Sequence, residues 1–167
     1  MKIEYICKMK NKITLLLLAF SFCASAQIFD TKKERNKFIA MASSMYVSGY
    51  ARGLEQKLMF DYKAFEAKHP SANQWYWNPQ ISWRNKYQDR LPYKGERFKG
   101  SSTVFVWTTD AKHMLDAVNN IGMYATLTIS LSKPFRKADL KKQLIRSASL
   151  IGVRYLGFYT SYNFIYK

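Results

Sequence analysis

Residues 31–67 read TKKERNKFIAMASSMYVSGYARGLEQKLMFDYKAFEA, and this stretch decides the fold because it predicts one long helix. Thr31 and Glu34 have the spacing of a capping box, in which a hydroxyl and a carboxylate satisfy backbone amides at a helix start. His69 precedes Pro70, and a residue before proline disfavours helical angles, so the helix should end there. Between these signals, large apolar side chains recur at helical spacing: Phe38, Met41, Met45, Leu54, Leu58 and Phe65.

Two glycines in this predicted helix, Gly49 and Gly53, lie one turn apart. A glycine weakens a helix locally, so its presence in a helix interior asks for a reason. Because glycine has no side chain, these two positions, together with Ala42, predict a face on which another helix can approach closely.

Two further helices are predicted, over residues 103–131 and 139–165, with a basic connector at 132–143 between them. Residues 68–102 show neither helical nor alternating periodicity and are rich in aromatic side chains. A long loop in a compact domain is usually functional or disordered, and this composition argues against disorder. The predicted fold class is mainly α: about three long helices in one domain, residues 27–167, with a long aromatic-rich irregular loop between the first and second.

The N-terminal residues have the composition of a secretory signal peptide. Lysines precede an apolar run, residues 13–23, that is too short to span a bilayer as an ordinary helix. A small-x-small triplet follows at 24–26, as at a cleavage site. We therefore expect residues 1–26 to be removed on export, and the protein to act in the periplasm or cell envelope. An uncleaved anchor is the alternative, and translation starting at either Met1 or Met9 is compatible with the pattern.

The chain is strongly basic, with 27 Lys and Arg residues against 11 Asp and Glu residues. Without residues 1–26 these counts fall to 23 and 10, a net charge of +13. Such a charge attracts polyanions, so the expected partner is an anionic lipid or envelope polymer, with membrane association as one form of it. Nucleic acid is not expected as a partner because the predicted signal peptide indicates export. The alternative is a charge that serves solubility alone, and the oligomeric state is left open.

Both cysteines, Cys7 and Cys23, lie in the predicted signal peptide. The exported chain would therefore have no disulfide, no thiol nucleophile and no cysteine metal ligand. No Walker-type loop, dinucleotide fingerprint, nucleophile elbow or His-Glu-x-x-His motif occurs, so no cofactor is expected.

The second and third predicted helices raise the alternative of a polytopic inner-membrane protein, with spans near residues 103–131 and 147–166. The third segment has one charged residue, Arg154, whereas the second has four ionisable residues near its start. Each charge at mid-membrane costs about 2.5–3.5 kcal/mol on insertion scales. The basic connector agrees with the positive-inside tendency of cytoplasmic loops. A soluble or peripheral domain is favoured over this alternative because the mean hydropathy of the chain is −0.31.

The densest group of candidate binding residues lies at 73–87, NQWYWNPQISWRNKY. Aromatic faces alternate here with amide and cationic groups, a composition that can stack on sugars or lie at a membrane interface. In an extended stretch Trp75 and Trp77 would point to the same side, whereas Trp83 is expected to be structural. In the alternative interpretation the tryptophans pin the loop onto the helices, and asparagines cap turns. The predicted binding residues are Asn73, Trp75, Trp77, Asn78, Trp83, Arg84 and Lys86.

A second candidate site consists of Asp110, His113 and Asp116. Three-residue steps would place all three on one face of the second helix. A neutral imidazole with carboxylates can bind a divalent ion, or a carboxylate can orient His113 for acid–base work. The alternative function is therefore a small metal-assisted hydrolase in which these residues are catalytic and bind the metal. A solvated helix face would have the same pattern.

Residues 77–87, 98–103 and 108–113, which read WNPQISWRNKY, FKGSST and TTDAKH, resemble a pattern in uncharacterised envelope proteins of Bacteroidetes-type bacteria. The resemblance covers roughly residues 49–115 and implies an exported or membrane-associated protein without implying an activity. Such proteins tend to have a more apolar second helix, from which Asp116, Asn119 and Asn120 depart. Taken together, these patterns predict a non-enzymatic cell-envelope protein whose basic and aromatic surface binds an anionic lipid headgroup, lipopolysaccharide or glycan.

Overall fold

The structure, a computed structural model, describes residues 29–132 and 140–165 and is mainly helical, as predicted. Three long helices dominate it: α1 (Lys32–Phe60), α5 (Ala111–Leu131) and α6 (Leu140–Tyr159). Within the described ranges there is no β-sheet, and the only extended pairing is an isolated bridge. The short helices are α2 (Tyr62–Lys68), α3 (Gln74–Trp77) and α4 (Pro79–Ser82), and the 3-10 turns are Trp83–Lys86, Gln88–Arg90, Pro92–Lys94 and Val106–Thr108.

The predicted helix bounds were too generous. The first helix breaks at Asp61, whose backbone angles (φ −148°, ψ 54°) are not helical. The second begins at Ala111 and not at 103, because the side chain of Asp110 caps it there. The third gives way at Thr160–Ile165 to a wider π-helical turn. The predicted signal peptide, residues 1–26, and most of the basic connector lie outside the described residues.

The start of α1 follows the predicted capping box with one change. The hydroxyl of Thr31 accepts a hydrogen bond from the backbone N–H of Glu34 (3.1 Å), as expected. The Glu34 carboxylate, however, accepts from the backbone N–H of Asp30 (2.9 Å) and from Nη2 of Arg146 on α6 (3.1 Å). Both side chains of this ion pair are buried, so the cap of α1 also ties α1 to α6.

Glycines bring α1 into direct backbone contact with α6, as the predicted close approach at Gly49 and Gly53 requires. A β-carbon added at Gly53 would lie 2.5 Å from the carbonyl oxygen of Phe158, and one at Gly49 would overlap the backbone of Arg154. On α6, Gly157 lies against the backbones of Tyr46 and Tyr50 in the same way. Along this stretch, helix α1 therefore packs on α6 through backbone and not through interdigitated large side chains.

The interface of α1 with α5 is also formed by small and polar residues. A β-carbon at Gly122 would lie 2.7 Å from the carbonyl oxygen of Ser44. The buried hydroxyl of Ser48 donates to Oδ1 of Asn119 (2.8 Å), and Nη2 of Arg154 on α6 donates to the same oxygen (3.1 Å). These three side chains link the three long helices, so their polar atoms have partners inside the bundle.

Apolar clusters lie at the two ends of this polar centre. One consists of buried residues from the second half of α1, α2 and the start of α5, and it includes Leu58, Phe65 and Leu115. The other joins Phe38 and Met41 of α1 to Leu150 of α6. None of the helices among the described residues is both long enough and apolar enough to cross a membrane.

Candidate functional site

The aromatic segment, residues 73–102, is attached to the bundle by two of its aromatic rings. Trp77 stacks on Phe65 of α2 with ring centroids 5.1 Å apart. Tyr76 meets Trp77 edge-on, and its hydroxyl lies 3.1 Å from Sδ of Met114 on α5. Burial, followed by the charge of Asp110, raises the pKa of Tyr76 above its usual value. This ring pair anchors the segment beside α2 and the first turns of α5.

The predicted same-side pair of Trp75 and Trp77 is wrong, because residues 74–77 form a helical turn and not an extended stretch. Two helical positions differ by about 200° around the axis, so the two rings point to nearly opposite sides. Trp77 faces the bundle, and Trp75 remains 38 % exposed. The expectation that Trp83 is structural stays a prediction, since its side chain is 38 % exposed while its ring meets that of Tyr87 edge-on.

Asn73 and Asn78, two of the predicted binding residues, cap helical turns. Oδ1 of Asn73 accepts from the backbone N–H of Trp75 (3.0 Å), and Oδ1 of Asn78 accepts from the backbone N–H of Gln80 (3.0 Å). Asparagine at such positions satisfies amides that the helix leaves without partners. These side chains therefore shape the backbone, as the alternative interpretation held, and they orient the residues between them.

Two further polar residues, Asn85 and Glu96, hold the segment together, and sequence reasoning did not single them out. The buried amide of Asn85 donates to the backbone carbonyl oxygens of Trp75 and of Thr109 (3.1 Å to the latter). The Glu96 carboxylate accepts from the backbone N–H of Gly100 (2.9 Å) and from the hydroxyl of Ser102. The hydrogen bond from Ser102, followed by that from Gly100, lowers the pKa of Glu96.

The exposed face of the segment pairs aromatic rings with cations. The guanidinium carbon of Arg90 lies 3.9 Å from the ring centroid of Trp75, and that of Arg84 lies 5.4 Å from the ring of Trp83. Nε1 of Trp83 donates to the carbonyl oxygen of Gln80 (3.1 Å), which fixes the ring. Cations within about 6 Å of an aromatic face are attracted by the ring's electron density. Both arginines are thus held at the surface beside exposed indole rings.

Lys86, the last of the predicted binding residues, is half-buried, and its Nζ lies 5.4 Å from the ring centroid of Tyr87. Residues 73–102 contain six basic and two acidic side chains, a net charge of +4. One of the acids, Asp89, pairs with Lys94 (2.8 Å), which lowers the pKa of Asp89, and the other is Glu96. Most of the positive charge therefore faces solvent together with the exposed rings.

Asp110 and His113 form a pair, although the predicted common helical face is wrong for Asp110. Asp110 precedes α5 with extended angles (φ −155°, ψ 160°), and its buried carboxylate accepts from the backbone N–H of His113 (3.0 Å). The ring atom Nδ1 of His113 lies 2.8 Å from Oδ2 of Asp110, and the hydroxyl of Thr109 donates to that same oxygen (3.2 Å). The Asp110 carboxylate orients the imidazole of His113. Its hydrogen bond with the backbone N–H of His113 also caps α5 and so accounts for where the helix begins.

Asp116 belongs to a different cluster, at the contact between α1 and α5. Its carboxylate pairs with Lys112 (2.9 Å) and with Arg52 of α1 (3.5 Å), and Arg52 also pairs with the buried Glu55. Burial, followed by the charge of Asp116, raises the pKa of Glu55 above its usual value. Asp116 thus balances the basic residues around Glu55 and does not join Asp110 and His113.

Among the residues that the structure describes, no three His, Cys, Asp or Glu side chains are grouped so that they could hold a metal ion. The predicted ligand set of Asp110, His113 and Asp116 is divided between the N-cap of α5 and the cluster around Glu55. The metal-assisted hydrolase therefore stays a prediction that this geometry does not strengthen.

Comparison of the chain with protein-family models, with curated proteins and with solved structures found no match. The resemblance to Bacteroidetes-type envelope proteins accordingly stays a prediction. The aromatic segment is the surface whose chemistry is most specific.

Proposed function

We propose that this chain is a non-enzymatic cell-envelope protein that binds anionic lipid headgroups through its aromatic segment. The observation that carries the proposal is the pairing of the exposed Trp75 and Trp83 rings with Arg90 and Arg84. Export, as the N-terminal pattern predicts, would bring this surface to the membranes of the envelope.

Each component of the segment suits the boundary between lipid and water. Indole rings concentrate at the headgroup level of bilayers, where one side is apolar and the other is hydrated. A guanidinium presents a planar fork of N–H donors that matches the oxygens of a phosphate. An arginine already positioned beside an indole can therefore engage a headgroup phosphate while the ring enters the interface.

Rigidity also supports binding by this surface. The two asparagine caps, the Asn85 hydrogen bonds and the Glu96 carboxylate hold the backbone in place before any ligand arrives. A surface that is already ordered loses less conformational entropy on binding. The net charge of +4 over residues 73–102 adds long-range attraction, because each Lys or Arg near an anionic bilayer contributes about 1 kcal/mol.

The test is co-sedimentation of the purified protein with vesicles of phosphatidylcholine, alone or mixed with phosphatidylglycerol. We expect retention only on the anionic vesicles, decreasing as salt is added. Replacing both arginines, Arg84→Gln with Arg90→Gln, should lower the partition coefficient about 30-fold, because each charge contributes about 1 kcal/mol to binding. The control Lys63→Gln with Lys68→Gln removes the same charge from α2 and should lower it much less.

Two further arms distinguish the sources of the phosphate. If phosphate is the recognised group, lipopolysaccharide that keeps its phosphates should compete with the vesicles for the protein. Lipopolysaccharide without its phosphates should compete less. A neutral glycan should not compete. Equal retention on neutral and anionic vesicles, or equal losses in the arginine and lysine double variants, would count against the aromatic segment as the binding surface.

A further inference from the structure

The loop at residues 98–102, at the end of the aromatic segment, closes around the carboxylate of Glu96. Oε2 of Glu96 accepts a hydrogen bond from the backbone N–H of Gly100 (2.9 Å). Oε1 accepts from the backbone N–H of Ser102 (3.2 Å) and from the hydroxyl of the same residue. Backbone N–H groups that converge from a turn form a concave site for anions. The side chain of Glu96 therefore occupies an anion site made by the loop that follows it.

This loop has support besides the side chain of Glu96. The buried hydroxyl of Ser101 donates to the carbonyl oxygen of Lys86 (2.7 Å), which ties the loop to the preceding part of the segment. The carbonyl oxygen of Gly100 accepts from the backbone N–H of Phe105 (2.8 Å). Gly100 has a φ of +85°, a left-handed conformation that glycine adopts without strain. We therefore expect the anion site to keep its shape when another anion replaces the carboxylate.

The anion site is accessible and favours negative charge. Glu96 and Ser102 are only half-buried, so solvent reaches the carboxylate. Arg97 and Lys99 are exposed, and among the residues that the structure describes neither pairs with a carboxylate. The hydrogen bond from Ser102, followed by that from Gly100, lowers the pKa of Glu96, which means that the donors stabilise a charged occupant.

We propose that this loop binds a phosphate monoester, which takes the place of the Glu96 carboxylate. A phosphate monoester has three acceptor oxygens and a charge of about −1.5 to −2 at pH 7, whereas a carboxylate has two oxygens and a single charge. The extra charge, attracted by Arg97 and Lys99, allows it to displace a tethered acid. Glu96 then acts as a built-in competitor that excludes weaker anions such as acetate. The site is independent of the proposed lipid surface, since it uses neither its arginines nor its exposed indole rings.

The probe is inorganic phosphate, titrated into the purified protein by isothermal titration calorimetry at constant ionic strength. The wild type should bind it weakly, because phosphate must first displace Glu96. If the carboxylate occupies the site about nine-tenths of the time, Glu96→Ala should bind phosphate about tenfold more tightly. Asp89→Ala is the matched control, because it removes the other acid of the segment, whose carboxylate pairs with Lys94. It should change the affinity little.

A second pair of variants locates the phosphate. Ser102→Ala, added to Glu96→Ala, removes the hydroxyl donor and should weaken binding about tenfold, as for the loss of one hydrogen bond to a charged group. Ser130→Ala, added in the same way, removes an exposed hydroxyl of α5 and should leave the affinity unchanged. In nitrogen-15 NMR spectra of Glu96→Ala, the amide signals of Gly100 and Ser102 should shift as phosphate is added.

Vesicles of phosphatidic acid distinguish the two sources of a phosphate monoester. If the ligand is a lipid headgroup, Glu96→Ala should bind these vesicles more tightly than Asp89→Ala does. A gain for inorganic phosphate alone would assign the site to a free phosphate. Replacing Arg84 and Arg90 with glutamine should leave the affinity of Glu96→Ala for inorganic phosphate unchanged, so this site and the lipid surface can fail separately.

Three results would overturn the proposal: phosphate binding by Glu96→Ala no tighter than by Asp89→Ala, equal effects of Ser102→Ala and Ser130→Ala, or unmoved amide signals in the loop. If Glu96→Ala does not fold in chloride, phosphate should restore its circular dichroism. Glu96→Gln, which keeps a neutral acceptor, should then bind phosphate more tightly than the wild type. Failure of both would also overturn the site.

Discussion

The three-helix bundle and the aromatic segment are stabilised in opposite ways. In the bundle, glycines and hydroxyl-bearing residues lie between the helices, and the apolar residues Tyr124, Leu127 and Ile151 are exposed outside. In the segment, the large ring of Trp77 lies inside, and polar side chains satisfy the backbone. The centre of the bundle, between the apolar clusters at its two ends, therefore depends on how closely backbones approach, whereas the segment depends on individual side-chain anchors.

This difference predicts which kinds of substitution each region tolerates. An added methyl group between helices displaces whole helices, because backbone atoms cannot rotate away. In the segment, the removal of a side chain matters in proportion to how far it is buried.

The largest effect is expected for Gly157→Ala. A β-carbon there would lie 2.9 Å from the backbone nitrogen of Tyr50 and even closer to the carbonyl oxygen of Tyr46. Because α6 must move away from α1, we expect a loss of about 3 kcal/mol or more in the free energy of unfolding. Urea unfolding followed by far-ultraviolet circular dichroism measures it.

Gly152→Ala is the matched control on the same helix, where an added β-carbon meets open space. Alanine is a better helix former than glycine, so this variant should gain about 0.5–1 kcal/mol. If Gly157→Ala proved as stable as Gly152→Ala, close backbone contact would not be what holds α6 to α1.

The next effect separates two tryptophans of the aromatic segment. Trp77→Ala removes a ring stacked on the buried Phe65 and should lower the free energy of unfolding by about 3 kcal/mol, the low end for large aromatics. Trp83→Ala removes an exposed ring and should change stability by about 0.5 kcal/mol, as ordinary surface substitutions do, while weakening vesicle binding. Equal destabilisation by both variants would mean that Trp83 stabilises the fold by packing and is not part of the binding surface.

The smallest effect concerns pH and the cluster of Glu55, Arg52, Asp116 and Lys112 on α1 and α5. Burial and the charge of Asp116 raise the pKa of Glu55 above its ordinary 4.5. The folded state therefore binds the proton of the Glu55 carboxyl group more tightly than the unfolded chain does. Its favourable contribution is complete below pH 4.5 and is lost as pH rises through the raised pKa.

Glu55→Gln removes this titration and should therefore be less affected than the wild type by raising the pH from acidic to neutral. The difference between the two urea midpoints at each pH isolates Glu55 from Glu96, Asp61 and Asp89, whose lowered pKa values act in the opposite direction. A pH-independent difference would show that Glu55 is not the group that titrates.

Local signals in the sequence determined much of the architecture. Apolar spacing predicted the first long helix, Thr31 and Glu34 marked its start, and Gly49 and Gly53 indicated the closely packed face. These features act over one or two helical turns, because caps and propensities depend on neighbouring backbone amides and side chains. For the same reason Asn73 and Asn78 could be recognised as candidate turn caps.

Which residues meet across the chain depends on the tertiary structure. The inward position of Trp77 depends on its contact with α2, and the separation of Asp116 from Asp110 on the contact of Asp116 with α1. The role of Asn85 had no distinguishing local pattern, since its partners lie 10 and 24 residues away. Long-range pairing is set by the packing of whole helices. Consecutive residues of a helix point about 100° apart, so a shift of one residue changes which side chain faces the neighbouring helix.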